Sequence, residues 1–210
     1  MKLGLLGDIH AEDERLAAAL RVFKEHTTDA VLFVGDLADG LGDLDRCCAL
    51  LEDARALGVR GNHDRWLIGD TMRTPSNSHH RSELAFRSVK FLESLPAVRD
   101  VVTPLGTLLL CHGVGEDDMC RLRPDDEGYA LETNDELQKL VLAGRYALAV
   151  GGHTHERMVR RFGKLTFINA GTLARDHTPC CAVLDCVKRT VDFIELDDPA
   201  APLPSDVIAF

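Results

Sequence analysis

Asp8, His10, Asp36, Asn62, His112, His153 and His155 are two carboxylates, one carboxamide and four imidazoles, the mixed oxygen and nitrogen donors that first-row divalent cations take. That set suffices for two cations. A pair of divalent metals about 3.5–4 Å apart lowers the pKa of water toward neutrality and clamps a phosphoryl centre, which is the chemistry of phosphate ester hydrolysis. Each fragment alone is weak, because an isolated Asp-x-His or His-x-His is commonly a hydrogen-bonded structural residue. The context supplies the weight. Leu5-Leu6-Gly7 runs into Asp8-Ile9-His10, Leu32-Phe33-Val34 into Gly35-Asp36, and Val59-Arg60 into Gly61-Asn62-His63-Asp64. Leu109-Leu110-Cys111 runs into His112, and Leu148-Ala149-Val150 into Gly151-Gly152-His153-Thr154-His155.

These apolar runs are too short for helices and suit buried strands. The carboxyl ends of strands form the binding edge of an α/β sheet, so donors remote in sequence converge on one cleft. Glycines beside them let the chain turn away and approach a ligand closely. Between the first two runs, Leu16, Ala19, Leu20 and Phe23 recur at helical spacing from Glu12 to His26, which predicts a βαβ unit with a parallel pair. A second helix is expected over Leu44 to Leu51. The stretch Ala54 to Arg60 either continues it or places Leu57 and Val59 in a short strand. Thr71 to His80 turns polar and reads as a mobile loop, followed by a helix from Glu83 to Leu95 stopped by Pro96. Val101-Val102 and Thr107 to Cys111 read as a hairpin, and Gly113 to Glu132 as a long polar connection. Thr133-Asn134-Asp135-Glu136 has the capping-box pattern and opens a helix to Gly144. The remainder reads as strands over Met158 to Arg161, Leu165 to Asn169, Cys181 to Cys186 and Thr190 to Leu196. A single domain over 1–196 and an irregular tail over 197–210, with Pro199, Pro202 and Pro204, complete the expectation.

The 210 residues are 45% hydrophobic and 28% charged, the composition of a globular domain with a sizeable core. No apolar run approaches membrane length, and the short run after Met1 meets Asp8 where a signal-peptide cleavage region would stand. A cytoplasmic protein is the expectation. A net charge of −10 argues against long nucleic acid or an anionic membrane as partner. Seven cysteines without a Cys-x-x-Cys read as reduced, mostly buried thiols.

The ordered set Asp8-x-His10, Gly35-Asp36, Gly61-Asn62-His63-Asp64, His112 and Gly152-His153-x-His155 resembles the signature of the calcineurin-like metallophosphoesterase superfamily. The likeness runs from Asp8 to about Asn169, where Asn169-Ala170-Gly171-Thr172 is a variant of the family's Asn-Pro-Gly-Ser turn. The resemblance implies an α/β fold of two facing mixed β-sheets flanked by helices, a four-layer αββα sandwich. It further implies one metal on Asp8, His10 and His155, a second on Asn62, His112 and His153, and Asp36 as the bridge. His63 is then the catalytic histidine, a general acid whose ring Asp64 orients, while metal-bound hydroxide attacks phosphorus. The cofactors would be two divalent transition metals, Mn²⁺ first, with Fe, Zn, Co or Ni as alternatives.

Gly40 follows Gly35-Asp36-Leu37-Ala38-Asp39 where the Ser/Thr phosphatase branch carries an Arg, so the chain is more similar to the compact, phosphodiesterase-like branch. That resemblance favours phosphodiesters over monoesters. Nucleotide or dinucleoside polyphosphate hydrolysis is the enzymatic alternative, and a non-catalytic scaffold on the same fold is a third reading. Arg65 to Arg81 and Gly113 to Tyr129 both follow a strand-end donor, so Arg65, Arg73, His79, His80, Arg121 and Arg123 are candidate substrate contacts. The acidic run Glu116-Asp117-Asp118 disfavours a long polyanion. Because formal charge ignores bound metals, an acidic surface is compatible with a positive cleft and a small phosphate ester or nucleotide substrate.

Overall fold

The computed structural model describes residues 1–69, 71 and 77–210. The first βαβ unit forms as its periodicity dictates: β1 (Lys2–Leu6), α1 (Asp13–Glu25) and β2 (Ala30–Phe33), with β1 and β2 parallel. After α2 (Leu44–Asp53), β3 (Leu57–Gly58) pairs with β2, so the ambiguous stretch contains a two-residue strand. Then follow α3 (Asn62–Ile68), α4 (Phe86–Ser94), β4 (Arg99–Thr103), β5 (Gly106–Leu110), α5 (Tyr129–Glu132) and α6 (Asp135–Ala143). The chain ends through β6 (Leu148–Gly151), β7 (Met158–Phe162), β8 (Leu165–Asn169), β9 (Cys180–Asp185), β10 (Thr190–Glu195) and β11 (Leu203–Ala209).

The strands form a six-stranded sheet, β11-β10-β9-β1-β2-β3, and a five-stranded sheet, β4-β5-β6-β8-β7. Both are mixed, and helices flank them, as expected. Alternation along each strand decides which layer a residue joins. Leu3, Leu5, Leu32 and Val34 meet Leu108, Leu110, Leu148 and Val150 between the sheets. On the outer face of the larger sheet, Leu6 and Phe33 pack with Leu16 and Phe23 of α1 and Leu51 of α2. Leu137 of α6 covers Leu109 and Phe167 of the smaller sheet. With both faces of both sheets covered, the central strands carry continuous apolar runs.

Three boundaries depart from expectation. Arg81–Glu83 forms a 3₁₀ turn and Leu84 is extended, so the following helix starts at Phe86. Asn134, not Thr133, caps α6, its Oδ1 accepting from the Leu137 N–H at 3.0 Å. The tail is not irregular: β11 pairs antiparallel with β10 across a bulge between Asp192 and Ile194. Pro204 sits opposite Ile194 on this edge strand, where a missing donor is tolerated. Arg157 holds the strand through Ser205 and Asp206. All seven cysteines are free, with Cys120 half-buried and the others buried, and burial raises their thiol pKa values. Among the described residues no helix is long and apolar enough to cross a membrane.

Candidate metal centre

The donors converge where β1, β2, β5 and β6 end. Asp8 follows β1 and is fully buried. Both of its carboxylate oxygens lie 3.0 Å from the His153 N–H, while its carbonyl accepts from Thr172 Oγ1 and the Leu173 N–H, each at 2.8 Å. Asn169 completes this weld, donating through Nδ2 to the Gly152 carbonyl at 2.9 Å and accepting from the Gly171 N–H at 2.9 Å. The variant turn thus ties the end of β1 to the end of β6.

Two groups of potential ligands result: Asp8, His10 and His155, and Asp36, His112 and His153, each with its ligand atoms within 4.8 Å of one another. His10 Nδ1 donates to the Asp39 carbonyl at 2.8 Å, which turns Nε2 to within 3.1 Å of His155 Nε2. His112 Nδ1 donates to the Val34 carbonyl at 2.8 Å, which turns its Nε2 toward Asn62 Oδ1 at 2.9 Å and Asp36 Oδ2 at 3.2 Å. Asn62 Oδ1 also lies 2.9 Å from His153 Nδ1, and His153 Nε2 is buried with no hydrogen-bond partner. Lone-pair donors facing one another, with one orphaned in the interior, fit a pair of divalent cations and fit a purely structural hydrogen-bond network poorly.

Backbone strain concentrates at the same place. Of nine described non-glycine residues with left-handed φ, five are His10, Asp36, Asp39, His153 and His155, at 46°, 46°, 65°, 69° and 61°. Such conformations cost about 1–3 kcal/mol each and persist where surrounding contacts enforce them. Two glycines make room for the carboxylates: a Cβ on Gly61 would lie 2.1 Å from Asp36 Oδ1, and one on Gly152 2.6 Å from Asp8 Oδ2.

The electrostatics follow from close packing of buried charges. Burial pushes the Asp8 carboxyl up, and the neighbouring charge of Asp36 adds to that, against the pull of His112. Asp36 is also opposed by burial, yet His112, His63 and His10 together hold it well below the usual carboxylate range. Burial works against a charged His112 as well, but Asp36 and Asp8 push it up to about 10. The other two rings go the opposite way: burial, and then the charge of His112 or of His10, lowers His153 to about 4 and His155 to about 3. A low proton affinity keeps these imidazoles neutral at pH 7, the form that ligates metal.

His63 opens α3, with its Nε2 4.0 Å from Asp36 Oδ2 and its ring 5.1 Å from that of His10. Asp64 does not orient this ring. Its Oδ1 accepts from the Leu37 and Ala38 N–H groups at 2.9 and 3.0 Å and its Oδ2 from the Gly61 N–H at 3.0 Å, so it clasps the two ligand loops together. Asp39 is the ring's partner, with Oδ2 2.7 Å from His63 Nδ1. Burial lowers the pKa of His63, but the bond to Asp39 and the charges of Asp36 and Asp39 outweigh it, and the net shift is upward. The available signal for Asp39 was its place as the second acid of Gly35-Asp36-Leu37-Ala38-Asp39.

The expected substrate contacts separate. Arg65 makes a two-pronged ion pair with Asp118 at 2.6 and 2.9 Å, linking the two overhanging segments. His79 clasps Asp39, through its N–H to Oδ1 at 2.9 Å and through Nδ1, which accepts from the Asp39 N–H at 3.0 Å. Arg121 is exposed and acts on His153 through its charge. His80 lines a different cleft, with Ile68 and Phe86. Arg123 is exposed, its N–H bonded to Asp126 and its carbonyl to Arg160. Arg73 lies outside the described residues.

A cleft of about 290 Å³ opens beside His10, His63 and His155, and its far wall includes Leu41, Ala174, Arg175 and His177. Sequence reasoning passed over that wall, because no strand-end pattern precedes it. Arg175 is fixed by nearly buried Glu12 through bonds of 2.6 and 2.9 Å, and the His177 ring stands 4.5 Å from that of His155.

Comparison with known proteins matches residues 1–189 to the calcineurin-like phosphoesterase superfamily domain. An uncharacterized protein of Methanocaldococcus jannaschii, MJ0912, is 26% identical over 103 residues, which are 46% of this chain and span 42% of that protein's length. The solved structure of an archaeal phosphodiesterase superposes with a TM-score of 0.61 at 18% identity, over 93% of this chain and 100% of that one. Yfce, a phosphoesterase from E. coli, gives 0.60 at 18% identity, over 100% and 99%. At such identities the structural likeness speaks to the fold.

Proposed function

The chain belongs to the calcineurin-like phosphoesterase superfamily, and from that premise we propose that it is a dinuclear, metal-dependent phosphodiesterase acting on small phosphate esters. The observation that carries this reading is the pair of donor groups, Asp8 with His10 and His155 and Asp36 with His112 and His153, with Asp36 also 4.0 Å from His63 Nε2. Asp8, His10 and His155 would hold one cation, Asn62, His112 and His153 the other, with Asp36 between them. Two divalent cations there would supply hydroxide at neutral pH and Lewis-acid contacts to the phosphoryl oxygens.

The remaining steps belong to the chain's own groups. Asp39 accepts the Nδ1 proton of His63 and keeps the second ring proton on Nε2, which faces the cleft. That nitrogen donates its proton to the departing ester oxygen, a contribution of about 10²–10⁴-fold. Asp64 holds the Gly61 and Leu37 loops in register and so fixes the separation of Asn62 and Asp36. Leu41, Ala174 and His177 give the cleft an apolar and aromatic wall suited to the second ester group of a diester. Its volume, about 290 Å³, lies at the small end of ligand pockets. Asp118, paired with Arg65, ties the acidic run to α3, the helix that carries His63, and negative charge there disfavours a long nucleic acid.

A hydrolysis panel tests the reading: an aryl diester, an aryl monoester, cyclic nucleotides, dinucleoside polyphosphates and short oligonucleotides, each with Mn²⁺ and with chelator. The diester should be turned over fastest and chelator should abolish it. A preference for monoesters or polyphosphates would reassign the substrate, and inactivity of metal-loaded protein on every ester would point to a scaffold.

A further inference from the structure

Three basic side chains meet in a small cavity at the pole opposite the candidate metal centre. Arg161 stands near the end of β7, Lys164 in the β7–β8 turn and Arg189 in the β9–β10 turn; with Thr166 they line a cavity of about 160 Å³ that Leu148 and Phe210 also wall. The metal-centre residues follow the carboxyl ends of β1, β2, β5 and β6, whereas Leu148 and Thr166 stand at the starts of β6 and β8. The two sites are therefore separated by the length of the sheet.

Many cations elsewhere in this acidic chain sit on acids, among them Arg15 on Glu12, Arg46 on Asp13, Arg157 on Asp206 and Arg175 on Glu12. Among the described residues, Arg161, Lys164 and Arg189 hold no carboxylate. Two of the three are also anchored. Arg161 Nε donates to the Gly163 carbonyl at 3.0 Å, which fixes the guanidinium plane and leaves both Nη groups for a ligand. Arg189 has a left-handed φ of 55°, and its carbonyl accepts from the Phe210 N–H at 3.1 Å, so its turn is tied to the end of β11. The three cations are exposed at the rim of one cavity and come from separate segments, so their fields add at an oxyanion placed among them.

We infer that Arg161, Lys164 and Arg189 form a second ligand site, for a small phosphate-bearing anion. Guanidinium forks and an ammonium group are the donors a phosphate takes, and the nearly buried Thr166 adds a hydroxyl to the wall. The cavity is smaller than the roughly 300 Å³ of the smallest pockets that enclose a drug-sized ligand, so it suits one phosphate, bare or with a short apolar substituent against Leu148 and Phe210. The site does not rest on the function proposed for the metal centre.

Backbone amide NMR on the zinc-loaded full chain, which is diamagnetic, reads the two sites separately. Inorganic phosphate, titrated at constant ionic strength, should shift the amides from Gly163 to Thr166 and that of Arg189 saturably. Methyl phosphate separates the two sources: tighter binding than inorganic phosphate assigns the site to a monoester, weaker binding to the free ion. Arg161→Gln with Arg189→Gln should weaken binding at these amides about tenfold or more and leave ester hydrolysis unchanged. The absence of any saturable shift there overturns the inference. So does an unchanged titration in the double variant.

Discussion

The two ligand groups are built differently. In the first, Asp8 is sealed but His155 is 19% exposed, and His10 and His155 form part of the cleft wall. In the second, the side chains of Asp36 and His112 are 2% and 0% exposed, and His112 is fixed from behind by the carbonyl of Val34 at the end of β2. Two members of the first group therefore line the cleft, whereas two members of the second are sealed and only His153 is half-buried. Leu41 and His177 share the cleft wall with the first group, whereas a change at Asp36 or His112 disturbs buried polar contacts. Asp36 belongs to the second group, and under the proposed function it would serve both cations. Replacing it with Ala should erase the distinction: bound metal falls below two per chain, and kcat/KM for an aryl diester falls by more than about a thousandfold, because hydroxide must then form without the paired cations. Metal analysis together with kinetics checks this, and an Asp36→Ala protein that still held two metals would refute the bridging role.

His63 stands on the open side, so its removal should leave the metals in place. His63→Ala is expected to retain two metals yet lose about 10²–10⁴-fold in kcat on an alkyl diester, and far less on an aryl diester whose leaving group needs no proton. A uniform loss on both substrates would place His63 in the sealed machinery instead.

The contrast between the groups is sharpest in a pair of variants. His112→Ala removes a buried ring that satisfies a carbonyl and two side-chain oxygens, so it should destabilise the metal-free protein by about 2–4 kcal/mol. His155→Ala should cost less than about 1 kcal/mol, as expected away from buried polar contacts, and should regain activity as metal concentration is raised. Denaturant titration without metal, followed by metal titration of activity, separates the two. Equal destabilisation would mean that the open group is as much a part of the core as the sealed one.

The convergence of the candidate donors was legible in the sequence because each follows an apolar run, and a strand's carboxyl end has one place to go in a covered α/β sheet. The buried runs alone required only that strands such as β1 be covered on both faces; that one covering layer is a second sheet came from the family resemblance. Asp64 misled because adjacency in sequence is not adjacency on a helix. Both residues lie in α3, where neighbours i and i+1 point about 100° apart, so Asp64 turns into the ligand loops while His63 turns to the cleft. The ring's partner, Asp39, is 24 residues from His63 and arrives through a left-handed turn, which its place after Gly35-Asp36 hints at but does not specify. The strand β11 was hidden by prolines that an edge position and a bulge accommodate, and the wall around Arg175 and His177 by the lack of any strand-end pattern before it.

Asp39 carries the smallest of these effects and the most specific one. Asn at position 39 keeps an oxygen to accept the Nδ1 proton of His63 and removes only the charge. That charge, with the bond it strengthens, is what raises the pKa of His63 against its own burial. A general acid works only while protonated, so the rate falls as pH rises through that pKa, and a raised pKa extends activity to higher pH. Asp39→Asn should therefore move the alkaline limb of kcat to lower pH, with little change in the acid range and a loss of about tenfold above the limb. Metal content should be unaltered, since the substitution keeps the backbone carbonyl that accepts from His10 Nδ1 and changes only the side chain, which bonds His63 and His79. A uniform loss at every pH would mean that Asp39 fixes the ring's position alone, and an unmoved profile with full activity would mean that the proton for the leaving group comes from elsewhere than His63.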